Sequence, residues 1–137
     1  AKPELFEKPM SRMLMTALGA FPVRRGYMEI TSIRNAMRVL ESDGVFGIFP
    51  EGRRSLTGEL DAFDKGAAFL ALRCHVPIIP IYADPTAQKR LRVRMIVGES
   101  MDADAIAAQY KGRAVDTVTL ALEDRIMDLK NVFEGRR

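Results

Sequence analysis

The sequence is poor in the residues that build disulfide frameworks, zinc sites and aromatic binding platforms. Its 137 residues include one cysteine, one histidine and no tryptophan. A single cysteine excludes a disulfide framework and fits a reducing compartment, and one cysteine with one histidine cannot make a standard zinc site. The patterns G-x-x-x-x-G-K-[ST] and G-x-G-x-x-G are also absent, which excludes nucleotide cradles of those kinds.

Charge and hydropathy exclude further classes of protein. The 21 basic and 18 acidic residues leave a formal net charge of +3, which is well short of the balance typical of nucleic-acid-binding domains. No apolar run approaches the ~20 residues that span a bilayer, and no signal peptide is visible. The composition is 47% apolar and 28% charged, as in globular proteins. At about 150 residues per domain, we predict a single domain over residues 1–137.

Helix-like and strand-like segments alternate along the chain. Amphipathic or small-residue spacing predicts helices at 9–18, 31–42, 66–74, 102–110 and 113–130. Short apolar or alternating runs predict strands at 21–23, 45–49, 78–82 and 91–97. This alternation predicts an α/β fold with a mostly parallel sheet flanked by helices.

A charged segment directly follows the second predicted strand. Glu51, Gly52, Arg53, Arg54 and Ser55 place a carboxylate, two guanidiniums and a hydroxyl within five residues. Ligands of parallel α/β sheets collect at the carboxyl ends of the strands, and the planar guanidinium suits bidentate phosphate binding. The pattern indicates an anion-binding loop, and the alternative is a solvated loop with ordinary surface charges.

A second basic pair, Arg24 and Arg25, follows the first predicted strand. The two arginine sites either converge on one anion or remain independent surface charges, and their spacing leaves both alternatives open. Elsewhere, His75 has no nearby serine or aspartate arranged for a catalytic triad, so a catalytic role is disfavoured. We interpret Cys74 as a small packed hydrophobic residue rather than a nucleophile.

Four blocks resemble motifs of the glycerolipid acyltransferases, specifically the 1-acylglycerol-3-phosphate acyltransferases, in the order and spacing of that family. Segment 19–25 resembles the second family motif, and 49–55 resembles the third, F-P-E-G-T-R-S. Segment 58–66 is similar to the stretch that follows, and 76–81 to the fourth motif. Segment 2–5 resembles the part ahead of the second motif, so the resemblance covers most of the first hundred residues.

The resemblance implies an acceptor site in this chain. The implied substrate-binding residues are Arg25, Glu51, Gly52, Arg54 and Ser55, of which the arginines and Glu51 would hold the phosphate and glycerol of the acceptor. Fixed guanidiniums suit such a dianionic head group, and glycine permits close backbone approach.

Two positions depart from the family pattern and add positive charge beside this site. Arg53 stands where the family usually has threonine, and Arg24 where an acidic or amide residue is common. Together with Lys2 they are candidate additional phosphate contacts. They either tighten anion binding, shift the choice of acceptor, or face water.

The resemblance implies acyl transfer from acyl-CoA or acyl carrier protein to lysophosphatidic acid, giving phosphatidic acid, with no metal or other cofactor. A hydroxyl attacking a thioester needs a general base, which the family's first motif, His-x-x-x-x-Asp, supplies. That motif is absent here, because the only histidine, His75, is followed five residues later by Pro80. We therefore expect no catalytic residue in this chain, no activity of the chain alone, and a domain that lacks its N-terminal part.

Three alternative functions follow from the same residues. The acceptor could be another lysolipid, such as a lyso-ornithine lipid, or the protein could be a non-catalytic phospholipid-binding relative. A nucleic-acid-binding module is disfavoured by the modest charge, the three tyrosines and the absence of tryptophan.

Lipid substrates imply that the protein meets a membrane, at its cytoplasmic face. The amino end combines apolar side chains with three cations, namely Leu5, Phe6, Met10, Met13, Leu14, Met15 and Leu18 beside Lys2, Lys8 and Arg12. This mixture predicts an interfacial helix, and the alternative is an ordinary amphipathic helix that faces the core.

Overall fold

The computed structural model describes residues 1, 3–23, 30–52, 60–84, 93–110 and 112–135. The chain divides into two compact units, Ala1–Gly47 and Ile48–Arg137. The described elements are mostly helical and include one small sheet. In chain order they are a 3-10 helix at Pro3–Phe6, α1 at Pro9–Ala17, α2 at Ile30–Glu41, α3 at Gly66–Cys74, β1 at Ile81–Ala83, β2 at Met95–Val97, α4 at Ala103–Ala108 and α5 at Ala114–Gly135.

The first unit contains the 3-10 helix, α1 and α2. Pro9 is the first residue of α1. Proline lacks a backbone N–H, and at this position an N–H would have no acceptor within the helix. Gly19 follows the end of α1 with a φ of 71°, in the left-handed region that favours glycine and commonly ends a helix. On α2 the predicted apolar stripe is confirmed, since Ala36 is buried and Ile33 and Leu40 are partly buried. The rings of Phe21 and Phe46 stack 5.7 Å apart.

The second unit is built around α5. Val118, Leu122 and Ile126 recur every four residues and are buried, so the predicted apolar stripe of this helix is confirmed. Leu122 and Ile126 belong to one core cluster with Phe63 and Tyr82. Val118 belongs to a second cluster with small residues of α3 and α4, namely Ala68, Ala71 and Ala103. Those alanines allow the three helices to approach one another closely.

The sheet of the second unit is an antiparallel pair of short strands. Tyr82 of β1 lies opposite Ile96 of β2, and both side chains face the core side of the pair. The flanking residues on each strand point to the other face and are exposed. An isolated bridge between Ile78 and Met101 continues the pairing beyond the strands.

The predicted mostly parallel sheet is therefore wrong for the part of the chain that the structure describes. A parallel crossover needs about a dozen residues or more, and residues 84–94, which separate β1 from β2, number eleven. Segments 21–23 and 45–49 are not strands either, and Val45 is 95% exposed. A short apolar run specifies a strand only where a partner strand completes its backbone hydrogen bonds.

Candidate functional site

The candidate site is a turn at residues 49–52. The backbone N–H of Gly52 donates to the carbonyl oxygen of Phe49 at 3.1 Å, which closes the turn. Gly52 has a φ of 63°, a conformation that a residue with a side chain rarely adopts. A Cβ atom at this position would also clash with the carboxylate of Asp64. The positive φ is the physical reason for glycine at this position, because the terminal atoms of the Asp64 side chain could move away from a Cβ.

Segment 60–64 holds this turn through two hydrogen bonds. The backbone N–H of Asp64 donates to the carbonyl oxygen of Pro50 at 2.7 Å. The backbone N–H of Asp61 donates to Oε2 of Glu51 at 3.1 Å. The Glu51 side chain is partly buried, so one carboxylate oxygen is fixed by the protein while the residue keeps access to solvent.

Contacts with α5 hold segment 60–64 in place. The backbone N–H of Phe63 donates to Oε1 of Glu123 at 2.7 Å, and the Phe63 ring packs with Leu122 and Ile126. A depression of about 160 Å³ lies beside this contact, lined by segment 60–63, Glu123 and Met127. Ligand pockets are typically about 300–1,000 Å³, so this depression is too small for a whole lysolipid.

An ion pair ties the start of α3 to the start of α5. Nζ of Lys65 lies 2.6 Å from Oδ1 of Asp116. The hydrogen bond and the charge of Lys65, together with the charge of Arg113, hold the pKa of Asp116 below its ordinary value. Lys65 falls in the segment that follows the candidate turn, so this pair fixes the chain where it leaves the site for α3.

Two of the sequence-predicted site residues, Glu51 and Gly52, are described and lie side by side in the turn. The other six lie outside the described residues: Lys2, Arg24, Arg25, Arg53, Arg54 and Ser55. The binding roles of all eight residues stay predictions. Whether the two arginine sites converge on one anion is therefore also still a prediction. Within the described ranges, no cluster of three or more His, Cys, Asp or Glu side chains could hold a metal ion.

The fold brings an aspartate to His75, for which the sequence indicated no serine or aspartate arranged for a catalytic triad. Nδ1 of His75 lies 2.9 Å from Oδ2 of Asp104, which α4 brings to the end of α3 from 29 residues away. Both side chains are exposed, at 75% and 51%, so the pair faces solvent rather than a pocket. His75 caps α3 in a left-handed conformation with a φ of 53°. The pair joins the end of α3 to the first turn of α4.

Sequence reasoning missed the residues that support the turn. Asp61, Asp64 and Glu123 are 10 or more residues away from Glu51 in the chain, so no local motif contains them all. One signal was present for Glu123: it directly follows Leu122 of the apolar stripe, and a carboxylate at the edge of a buried stripe needs a hydrogen-bond donor.

Comparison with known proteins gives a family match that includes the candidate turn. Residues 1–84 match the sequence profile of the Acyltransferase family. The chain is 30% identical over 139 residues to a 1-acyl-sn-glycerol-3-phosphate acyltransferase of Bacillus subtilis (strain 168), a match that covers 98% of this chain and 69% of that protein.

Plant relatives match a shorter part. A 1-acyl-sn-glycerol-3-phosphate acyltransferase of Limnanthes douglasii is 37% identical over 84 residues, or 59% of this chain and 30% of that protein. The chloroplastic 1-acyl-sn-glycerol-3-phosphate acyltransferase BAT2 of Brassica napus is 30% identical over 83 residues, or 59% of this chain and 24% of that protein. No solved structure matches the chain. The resemblance carried by the four motif blocks is thus confirmed, and the chain belongs to the Acyltransferase family.

Proposed function

We propose that the chain supplies the acceptor site of an enzyme that acylates lysophosphatidic acid to phosphatidic acid, with acyl-CoA or acyl carrier protein as the donor. The observation that carries the proposal is the partly buried Glu51, held by the N–H of Asp61 in a turn that falls inside the family match. Relatives named as 1-acyl-sn-glycerol-3-phosphate acyltransferases support this choice of acceptor.

The reaction forms an ester bond between the acceptor hydroxyl oxygen and the acyl carbon. The thioester C–S bond breaks, and a general base takes the hydroxyl proton and returns it to the departing sulfur, which leaves as a thiol. The sequence contains no His-x-x-x-x-Asp to provide that base. The contribution of this chain is therefore to position the acceptor, and orientation of reactants alone lowers a barrier by several kcal/mol.

Glu51 is suited to orient a hydroxyl group of the acceptor. Its Oε2 is occupied by the Asp61 N–H, and its Oε1 accepts a hydrogen bond from the glycerol of the ligand. By the family resemblance, Arg25 and Arg54 bind the phosphate through their guanidinium groups. Hydrogen bonds to a charged partner contribute about 1.5–3 kcal/mol each, so loss of one should weaken binding roughly 10- to 100-fold.

Direct binding tests the proposal without requiring catalysis. The ligand is a short-chain lysophosphatidate, used below the concentration at which it forms micelles, and titration calorimetry gives its Kd for the 137-residue chain. We expect Glu51→Gln and Arg54→Ala each to raise Kd roughly 10- to 100-fold. Glu99→Gln, an exposed carboxylate in another loop, should leave Kd unchanged.

A second ligand checks the acceptor class. The lysophosphatidylcholine with the same acyl chain carries choline on its phosphate, so it lacks one of the phosphate's negative charges and should bind more weakly than lysophosphatidate. Equal affinity for the two ligands, or an unchanged Kd in both site variants, contradicts the proposed acceptor site.

We also infer that the first unit meets a membrane surface, at the side where acyl-CoA or acyl carrier protein is available. No residue of α1 is buried. Its apolar side chains Met10, Met13 and Leu14 and the adjoining Leu18, which caps the helix, face solvent rather than the core, and all four residues are at least 56% exposed. Lys8 and Arg12 are exposed as well, and cations are attracted to anionic lipid head groups. Among the described residues, no helix is both long and apolar enough to cross a bilayer.

A further inference from the structure

A carboxylate of α5 contacts the backbone next to the candidate turn. Oε1 of Glu123 accepts a hydrogen bond from the N–H of Phe63 at 2.7 Å, across 60 residues of sequence. This distance is short for an N–H···O hydrogen bond, as expected when the acceptor is charged. Glu123 lies outside the region matched by the family profile, which ends at residue 84.

The two hydrogen bonds that hold the turn lie on either side of this contact. Asp61, two residues before Phe63, donates to Oε2 of Glu51. Asp64, one residue after Phe63, donates to the carbonyl oxygen of Pro50. The N–H groups of Asp61 and Asp64 point to the turn, and the N–H of Phe63 between them points to α5, so a shift of the Phe63 backbone moves both neighbouring donors.

Packing of its side chain also holds Phe63 in place. The Phe63 ring is 9% exposed and belongs to the core cluster that contains Leu122 and Ile126, the α5 residues adjacent to Glu123 in sequence and one turn later. The ring fixes the side chain but does not specify the direction of the backbone N–H. The Glu123 carboxylate adds that restraint, since the N–H of Phe63 must point to its Oε1.

We infer that Glu123 is a positioning residue for Glu51: it fixes the backbone of segment 61–64, whose N–H groups hold the Glu51 carboxylate and the turn. This inference rests on the proposed function, in which Glu51 binds the acceptor. Glu123 acts through the protein and touches no ligand. Its removal should therefore weaken acceptor binding only as long as Glu51 is present to be positioned.

The test uses four single substitutions in the 137-residue chain, two of which are also combined. Glu123→Leu keeps the bulk beside Leu122 and removes the acceptor oxygen, while Glu123→Gln keeps an oxygen that can accept from Phe63. Asp124→Ala is the matched control, because it removes an exposed carboxylate from the neighbouring position of the same helix. Glu51→Gln is combined with Glu123→Leu to complete a double-mutant cycle.

Two quantities are measured: the Kd of the short-chain lysophosphatidate, and amide hydrogen exchange at Asp61, Phe63 and Asp64. We expect Glu123→Leu to raise Kd about 5- to 10-fold and to speed exchange at those three amides. Glu123→Gln and Asp124→Ala should bind like the unmodified chain. In the Glu51→Gln background, Glu123→Leu should change Kd by less than about twofold, because the two residues act in series.

An unchanged Kd in Glu123→Leu overturns the inference, as does an effect of equal size with and without Glu51, which would mark a general structural role. Failure of the proposed function gives a different result: Glu51→Gln itself would leave Kd unchanged. If Glu123→Leu does not fold, Glu123→Ala, which also removes the acceptor oxygen, takes its place with the same expected and contradicting results. Weakened binding in Glu123→Gln contradicts a role that needs only an acceptor oxygen.

Discussion

Among the described residues, Lys65 and Asp116 are the clearest case of one side chain lowering the pKa of another. The 2.6 Å contact between Nζ and Oδ1 stabilises the charged carboxylate, so the pKa of Asp116 is lower in the folded chain than its ordinary value of 3.8. Both side chains remain substantially exposed, at 66% and 41%. Water and salt therefore screen the pair, and its contribution to stability is small.

This lowered pKa predicts a specific dependence of stability on pH. The pair stabilises the folded state above the ordinary pKa of Asp116, and that gain is lost as pH falls through the lowered folded-state value. We expect Asp116→Asn to lower Tm slightly near pH 7 and to have no effect once the carboxylate is protonated in both states. Thermal unfolding across this pH range checks it, with Asp124→Asn as a charge-matched control. A difference that grows on acidification would contradict the assignment.

Single residues differ in how far the sequence could identify them. Glu51 and Gly52 were identified because they lie in one short motif, and their chemistry is local. Glu123 and Asp104 were not, because each acquires its role from a partner that packing brings from far along the chain. A hydrogen bond between distant residues has no fixed spacing, so no sequence pattern predicts it.

The helices show which elements the sequence predicts well. The predicted helix at 66–74 is confirmed residue for residue, and α1 differs from its prediction by one residue at its end. The final helix extends to Gly135, five residues beyond the prediction. Helix hydrogen bonds join residues four apart and the apolar stripe repeats with the same period, so both signals lie within a short window.

The stripe of α5 predicts how stability responds to truncation. Ile126 is buried in the core cluster, whereas Leu120 on the same helix is 60% exposed. We expect Ile126→Ala to cost about 2–4 kcal/mol through lost burial and the cavity left behind. Leu120→Ala should change the free energy of unfolding by less than about 0.5 kcal/mol. Denaturant unfolding with an unchanged m-value measures both, and similar losses for the two variants would show that α5 does not pack by this stripe.

The strands were predicted less well than the helices, and the reason lies in their partners. The predicted strand at 78–82 became β1 at Ile81–Ala83, and the one at 91–97 became β2 at Met95–Val97. A short apolar run identified the first of these segments and an alternating run identified the second, but neither pattern showed which strand each would pair with. The eleven-residue connection between β1 and β2 favours the antiparallel arrangement, whereas the alternation of helices and strands along the chain had indicated a parallel one.

The last prediction concerns membrane binding and rests on the exposed apolar side chains of α1. Burying exposed side chains of α1 in a lipid interface is favourable by about 1.5–3 kcal/mol for each large apolar residue. Vesicles that contain anionic lipid should bind the chain, and the double variant Met13→Glu/Leu14→Glu should bind at least roughly tenfold less. Leu120→Glu adds a charge at an exposed leucine of α5 and should bind like the unmodified chain. Equal sedimentation of the double variant and the unmodified chain with the vesicles would contradict an interfacial role for α1.

Local patterns in the sequence were enough to place the helices, to single out the Glu51–Gly52 turn and to identify the acyltransferase family, because each of these depends on residues that are close in the chain. Tertiary structure decided the rest. It paired β1 with β2 antiparallel, left segment 45–49 outside any strand, and brought Glu123 to the Phe63 N–H. Strand pairing and long-range hydrogen bonds depend on which surfaces pack together, and that is a property of the folded chain rather than of any short stretch of it.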